Sequence, residues 1–194
     1  MSRLTSCVVA LVLAGTSVFA TVVVPAEFRE VVADAELIVR GQVTDVRSFV
    51  VPGDGIDTVA TIAVESVLKG QAADSFVSVR VPGGEVGSTK FVMVGAPTFR
   101  TGDRAVFFLK RTREAIWRPI GLTMGVYRVQ AEPGTGRAIV YPPALPAASR
   151  TASTPTVVRG DPQRKLLPVS EFESLVKLVM SSPPAQAVPR GGRQ

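Results

Sequence analysis

Hydrophobic and polar positions alternate with a period of two over most of this chain and switch to a helical period near its two ends. In "PAEFREVVADAE", residues 25–36, Phe28, Val31, Val32 and Ala35 fall at i, i+3, i+4 and i+7. That is the single apolar stripe of a short amphipathic helix. Pro25 suits its first turn, and Glu27 sits where the positive end of the helix dipole favours an acid. In "ELIVRGQVTDVRS" Leu37, Val39, Gly41 and Val43 alternate with Ile38, Arg40, Gln42 and Thr44, which predicts a half-buried strand with a bend or bulge at Gly41. "VPGDGID" ends it with turn residues.

The alternation then resumes. "TVATIAVESVLKG" predicts a second strand with Ala60, Ile62 and Val64 on one face and a slip of phase before Val67. "SFVSVRV" predicts a third, with Val77, Val79 and Val81 together. "KFVMVG" reads as a fourth and "DRAVFFLKR" as a fifth, and "GVYRVQ" and "RAIVYP" read as a closing hairpin around "AEPGTG". Many short strands with Gly and Pro turns predict a mainly β domain, a small barrel or sandwich, over residues 21–141. The connections are too short for repeated parallel crossovers. Residues 142–169 are rich in Pro, Ala, Ser and Thr and read as an extended connector. In residues 170–181 Ser170 and Glu173 form a capping-box pattern ahead of the helical stripe Phe172, Leu175, Val176 and Val179. Residues 182–194 read as a disordered tail.

The first twenty residues combine Arg3, an apolar run from Val8 to Ala14 and small residues up to Ala20. These are the parts of a secretory signal peptide, with cleavage expected after Ala20 and a secreted or periplasmic product. The apolar run is too short for a permanent span of about 20 residues. Cleavage would remove Cys7, the only cysteine, so the mature chain is expected to reach an oxidising compartment without a disulfide.

Composition narrows the chemistry. The chain has no histidine, which excludes Ser-His-Asp and Cys-His catalysis and imidazole zinc sites. No cofactor or metal is expected, and the protein is read as a non-enzyme. The formal charge of +6, +5 without Arg3, is dispersed and not interleaved with aromatics, so a solvated basic surface is expected and nucleic acid is not. "VPGGEVGSTK", residues 81–90, has the glycines of a phosphate loop but not its order, and β-type residues follow Lys90. It reads as a turn in which Gly83 and Gly84 take positive φ. Asp54 and Asp57 lack the further ligands of a calcium loop. Asp45, Asp54, Asp57 and Glu65 include no pair that spacing singles out for acid-base work. Trp117 and Tyr127 read as core or rim, and Arg159-Gly160-Asp161 as a chance tripeptide.

The residues Pro25, Phe28, Ala35, Leu37, Val39, Arg40 and Val43, with Ile62, Val64, Val67, Lys69 and Gly70 on the next strand, form a pattern over residues 25–70. This pattern resembles the start of the tissue inhibitor of metalloproteinases and netrin-like modules, and it is similar to uncharacterised secreted bacterial proteins. The resemblance implies a small closed β-barrel of the oligonucleotide/oligosaccharide-binding (OB) type, with a short N-terminal and a C-terminal helix. It also implies a binding partner, an extracellular protein such as a metalloprotease. In those inhibitors an N-terminal cysteine chelates the protease zinc, whereas this chain would begin at Thr21 without one. The partner-binding residues expected on this basis are Thr21, Val22, Val23 and Val24 together with the turn Val51, Pro52, Gly53, Asp54, Gly55 and Ile56, at one rim. The alternative expectation is an envelope polysaccharide-binding or structural protein that uses the basic surface.

Overall fold

The computed structural model describes residues 28–53, 55–143 and 166–182. The expected signal peptide, Thr21 to Val24, Asp54, most of the connector and nearly all of the tail therefore lie outside the described residues. Among the described residues two α-helices, α1 (Phe28–Asp34) and α2 (Val169–Ser181), flank ten strands: β1 (Leu37–Val51), β2 (Gly55–Lys69), β3 (Phe76–Pro82), β4 (Gly84–Val86), β5 (Thr89–Phe91), β6 (Arg104–Arg111), β7 (Trp117–Pro119), β8 (Val126–Ala131), β9 (Ala138–Tyr141) and β10 (Leu167–Pro168). The fold is mainly β. Eight strands make one sheet, and β4 and β5 form a separate hairpin.

β1 and β2 form a long antiparallel hairpin, from Val51↔Gly55 at the turn to Ile38↔Lys69 at the base. Its register shifts at three places, one of them between Arg40 and Gly41. A Cβ on Gly41 would stand 2.4 Å from the carbonyl oxygen of Ala63, so the bend expected at this glycine is also a close backbone approach. The first half of β1, Leu37 to Gln42, pairs with β6 along its other edge. β3 continues the sheet beyond β2, and β7 joins β3 in parallel through Val79↔Trp117. β7 also pairs antiparallel with the end of β6, and the start of β6 pairs with β8. β8, β9 and β10 follow as a wing.

This arrangement buries both faces of β6 from Ala105 to Leu109 and of the start of β1 from Leu37 to Val39, where a half-buried strand was expected, and explains these two continuous apolar runs. One face holds Leu37, Val39, Val43, Ala60, Ile62, Val77, Val79, Val81, Phe107 and Leu109. The other holds Ile38, Val106, Phe108 and Tyr127, and the helices cover it with Phe28, Val31, Val32, Phe172 and Val176. Phe28 meets Phe108, Tyr127 and Phe172 with ring centroids 5.6–5.9 Å apart in edge-on geometry. Both expected helical stripes therefore face one aromatic cluster.

The pattern that carries the resemblance has structural work here. Lys69 Nζ donates to the carbonyls of Val32 and Ala33 at 2.8 and 2.9 Å, which satisfies free acceptors at the end of α1. Gly70 has φ +78°, and a Cβ there would fall 2.2 Å from the Glu36 carbonyl. Arg40 binds Glu65 of β2 at 2.7 Å and Glu173 of α2 at 2.8 Å.

Several expectations are corrected. "KFVMVG" is not a strand of the large sheet, because only Thr89–Phe91 pairs, with Gly84–Val86, and Val92 to Val94 are exposed. Gly83 and Gly84 do take positive φ, 100° and 150°, but the hairpin turns at Gly87 and Ser88 instead. The capping box does not form. α2 starts at Val169 after Pro168 without a side-chain cap, and Glu173 is drawn to Arg40. β7 and β10 went unanticipated, and Leu167–Pro168 of the expected connector is paired to β9.

Candidate functional site

The hairpin β4–β5 lies against the distal part of the β1–β2 hairpin. Ser48 Oγ and Thr58 Oγ1 face each other across β1 and β2 at 2.8 Å, and Thr58 donates onward to the Gly83 carbonyl at 2.6 Å. The Gly83 N–H donates to Ile56 O at 2.7 Å. A Cβ on Gly84 would approach both hydroxyl oxygens to 2.5 Å, and one on Gly55 would meet the Phe91 ring at 3.3 Å. Two glycines thus let the β4–β5 hairpin close onto its support.

The same end of the molecule exposes apolar side chains. Phe49 and Val50 precede the β1–β2 turn, and Val92, Met93 and Val94 leave β5, with Val50 62% and Val94 80% exposed. A Cβ on Gly83 would stand 3.9 Å from Met93 Cβ, so Phe91 and Met93 lie beside the β1–β2 turn. Val50 shares the face of Ser48 and Ile56, and Phe49 the opposite face with Asp57. Large exposed apolar groups gathered in one place on a protein surface mark interaction sites more often than single ones do.

Beneath this end sits a charged support. Asp57 is only 5% exposed. Its Oδ2 accepts from Arg80 Nε at 2.5 Å and from Arg118 Nη2 at 3.5 Å. The Arg80 guanidinium lies 5.0 Å from the centre of the Phe49 ring, within cation–π range. Phe49 is thus held by a guanidinium that Asp57 orients.

Of the expected partner-binding residues, the structure describes five. Val51 and Gly55 are half-buried, and Pro52 and Gly53 are exposed at the turn. Ile56 is buried and faces the interior, so its side chain serves the fold. Phe28, the first described residue, packs near the opposite end of β1, beside Phe108 and Tyr127. Phe49, Val50 and Val92 to Val94 were not anticipated. The one available signal was that both runs are continuously apolar, without the alternation of a half-buried strand.

The other candidate groups are accounted for. Asp45 pairs with Arg47, and Glu65 with Arg40 and Arg104. With Asp57 on Arg80, each of these described carboxylates faces arginine and not a second carboxylate. Glu85 stands opposite Lys90 in the β4–β5 ladder. Tyr127 is buried, and Trp117 is half-buried under Arg111 at 4.5 Å. Among the described residues no group of three or more His, Cys, Asp or Glu side chains is placed to hold a metal. No model of a known protein family matches this chain, and no curated protein matches it.

Proposed function

We propose that the chain is a secreted, non-enzymatic binding module built on a small closed OB-like barrel, which captures an extracellular protein at the distal end of the β1–β2 hairpin. The cyclic order of pairing supports the barrel: β1 pairs β2, β2 pairs β3, β3 pairs β7, β7 pairs β6, and β6 returns to β1. Closure in this way removes most free strand edges. The observation that carries the binding reading is the number of exposed apolar side chains at this end, Phe49 and Val50 before the β1–β2 turn and Val92, Met93 and Val94 after β5. A preformed patch loses little conformational entropy on docking, which favours affinity. The turn from Val51 to Ile56 is the contact expected at this end, and Thr21 to Val24, with a metalloprotease as partner, are the separate contact that the resemblance implies.

The test is affinity capture from the secreted fraction with the chain beginning at Thr21, followed by purified-partner binding to the double variant Phe49→Ser/Val94→Ser. We expect one partner that survives moderate salt, bound at least about tenfold more weakly by the variant, with an unchanged circular dichroism spectrum. Equal binding by the variant, or capture only of salt-sensitive polymer, would defeat the reading. Loss of binding on deleting Thr21 to Val23, with Phe49→Ser/Val94→Ser unaffected, would move the contact to the N-terminal arm and defeat the reading.

A further inference from the structure

We infer that the cleft between the loop Thr98–Arg104 and β8 binds the anionic groups of an acidic polysaccharide, at a site separate from the apolar docking end. The cleft is open to solvent and has a volume of about 550 Å³. Three arginines, Arg100, Arg104 and Arg128, line it against one acid, Asp103, with Thr98 and Gln130 beside them.

The arginines are held in different ways. Arg128 Nη1 donates to Asp103 Oδ2 at 2.5 Å, Nη2 donates to the Thr98 carbonyl, and the guanidinium lies 5.7 Å from the centre of the Phe99 ring. Asp103 Oδ2 also accepts the Arg100 N–H at 2.9 Å. The loop itself is tied to β1, since Val43 N–H donates to Asp103 O and Gly102 N–H donates to Val43 O, each at 2.8 Å. Asp103 is therefore occupied by Arg128 and the loop backbone. Arg104 Nη2 meets Glu65 at 2.7 Å, and that carboxylate is shared with Arg40. Arg100 is exposed and has no carboxylate partner among the described residues.

A guanidinium carries five N–H donors in a planar fork. Arg128 and Arg104 spend two and one on the protein, and Arg100 keeps its whole fork. The fixed fork of Arg128 beside the free one of Arg100 suits carboxylate and sulfate oxygens, which accept paired hydrogen bonds from arginine, whereas Arg104 turns to Glu65 on the other face of β6. The polar neighbours Thr98 and Gln130 suit sugar hydroxyls. Single-stranded nucleic acid would call for aromatic faces on which bases stack. The ring at hand, Phe99, is buried under Arg128. The described residues carry 15 Lys and Arg against 13 Asp and Glu, a net of +2, so the attraction for a polyanion here is local, from Arg100 and Arg128.

The test is calorimetric titration of the full chain with oligogalacturonate, dextran sulfate, neutral dextran and oligothymidylate. The variants are Arg100→Ala and, as a charge-matched control on an exposed turn away from the cleft, Arg113→Ala. We expect binding of at least one acidic sugar, with the tighter of the two telling carboxylate from sulfate. Arg100→Ala should weaken it about tenfold or more, from the loss of charge-assisted hydrogen bonds, while Arg113→Ala changes it less than about twofold. An unchanged melting temperature for Arg100→Ala excludes misfolding as the cause. Equal effects of Arg100→Ala and Arg113→Ala would reduce the binding to diffuse charge and overturn the site. Absence of binding to both acidic sugars, or oligothymidylate binding as tightly through Arg100, would overturn it as well.

Discussion

Replacing Phe172 with alanine asks whether the C-terminal helix is part of the core or a decoration on it. Phe172 is 1% exposed and stands 5.6 Å from Phe28, 5.0 Å from Tyr127 and 6.3 Å from Phe108. Burying such a side chain is worth about 1.5–3 kcal/mol by transfer alone. Each aromatic pair adds roughly 0.5–1.5 kcal/mol, and the surrounding rings collapse only partly into the space left. The neighbours Val176, Leu175 and Val179 keep the helix in place, so the cavity stays open instead of the helix leaving. These terms together point to a loss of about 3–5 kcal/mol, set against a total of about 5–15 kcal/mol for a domain. The melting temperature should fall by about 10–20 °C. Leu178→Ala on the exposed side of α2 should cost no more than about 0.5 kcal/mol. Urea unfolding followed by tryptophan fluorescence and far-UV circular dichroism measures both variants. A Phe172→Ala loss below about 1 kcal/mol, or one equal to that of Leu178→Ala, would show that α2 does not close this core.

Two further predictions concern the docking end. Gly84→Ala meets both a strained φ of +150° and hydroxyl oxygens at 2.5 Å, so it should cost about 2 kcal/mol or more, whereas Gly53→Ala, at φ +83° with nothing within 4 Å, should cost about 1 kcal/mol; equal losses in urea unfolding would refute the close contact. Asp57→Ala leaves Arg80 partly buried without its counter-charge. It should cost about 2–4 kcal/mol and weaken partner capture by freeing Phe49, whereas an intact protein with full capture would remove Asp57 and Arg80 from the support.

The elements that could be read from the sequence are those whose period reflects one buried face. The stripes Phe28–Val31–Val32–Ala35 and Phe172–Val176 and the alternation Val77–Val79–Val81 end where burial ends. β7 and β10, three and two residues long, carry too few positions to show a period, and they pair through distant partners. The Ser170–Glu173 pattern misled because Arg40, 133 residues earlier in the chain, competes for the glutamate. Val92 to Val94 read as a strand because apolar residues, two of them β-branched, look the same in a sheet and on an exposed loop. At the candidate site the turn Val51 to Gly55 was legible from its glycines and proline. Its apolar surroundings were not, because β4–β5 reaches it only through tertiary contacts of Gly55, Gly83 and Gly84.

Hydrogen–deuterium exchange of the full chain with and without its captured partner tests the central claim most directly. The account predicts new protection concentrated in residues 48–56 and 89–95. Protection confined to Thr98–Asp103 and Arg128–Ala131, or spread evenly over the basic surface, would contradict it.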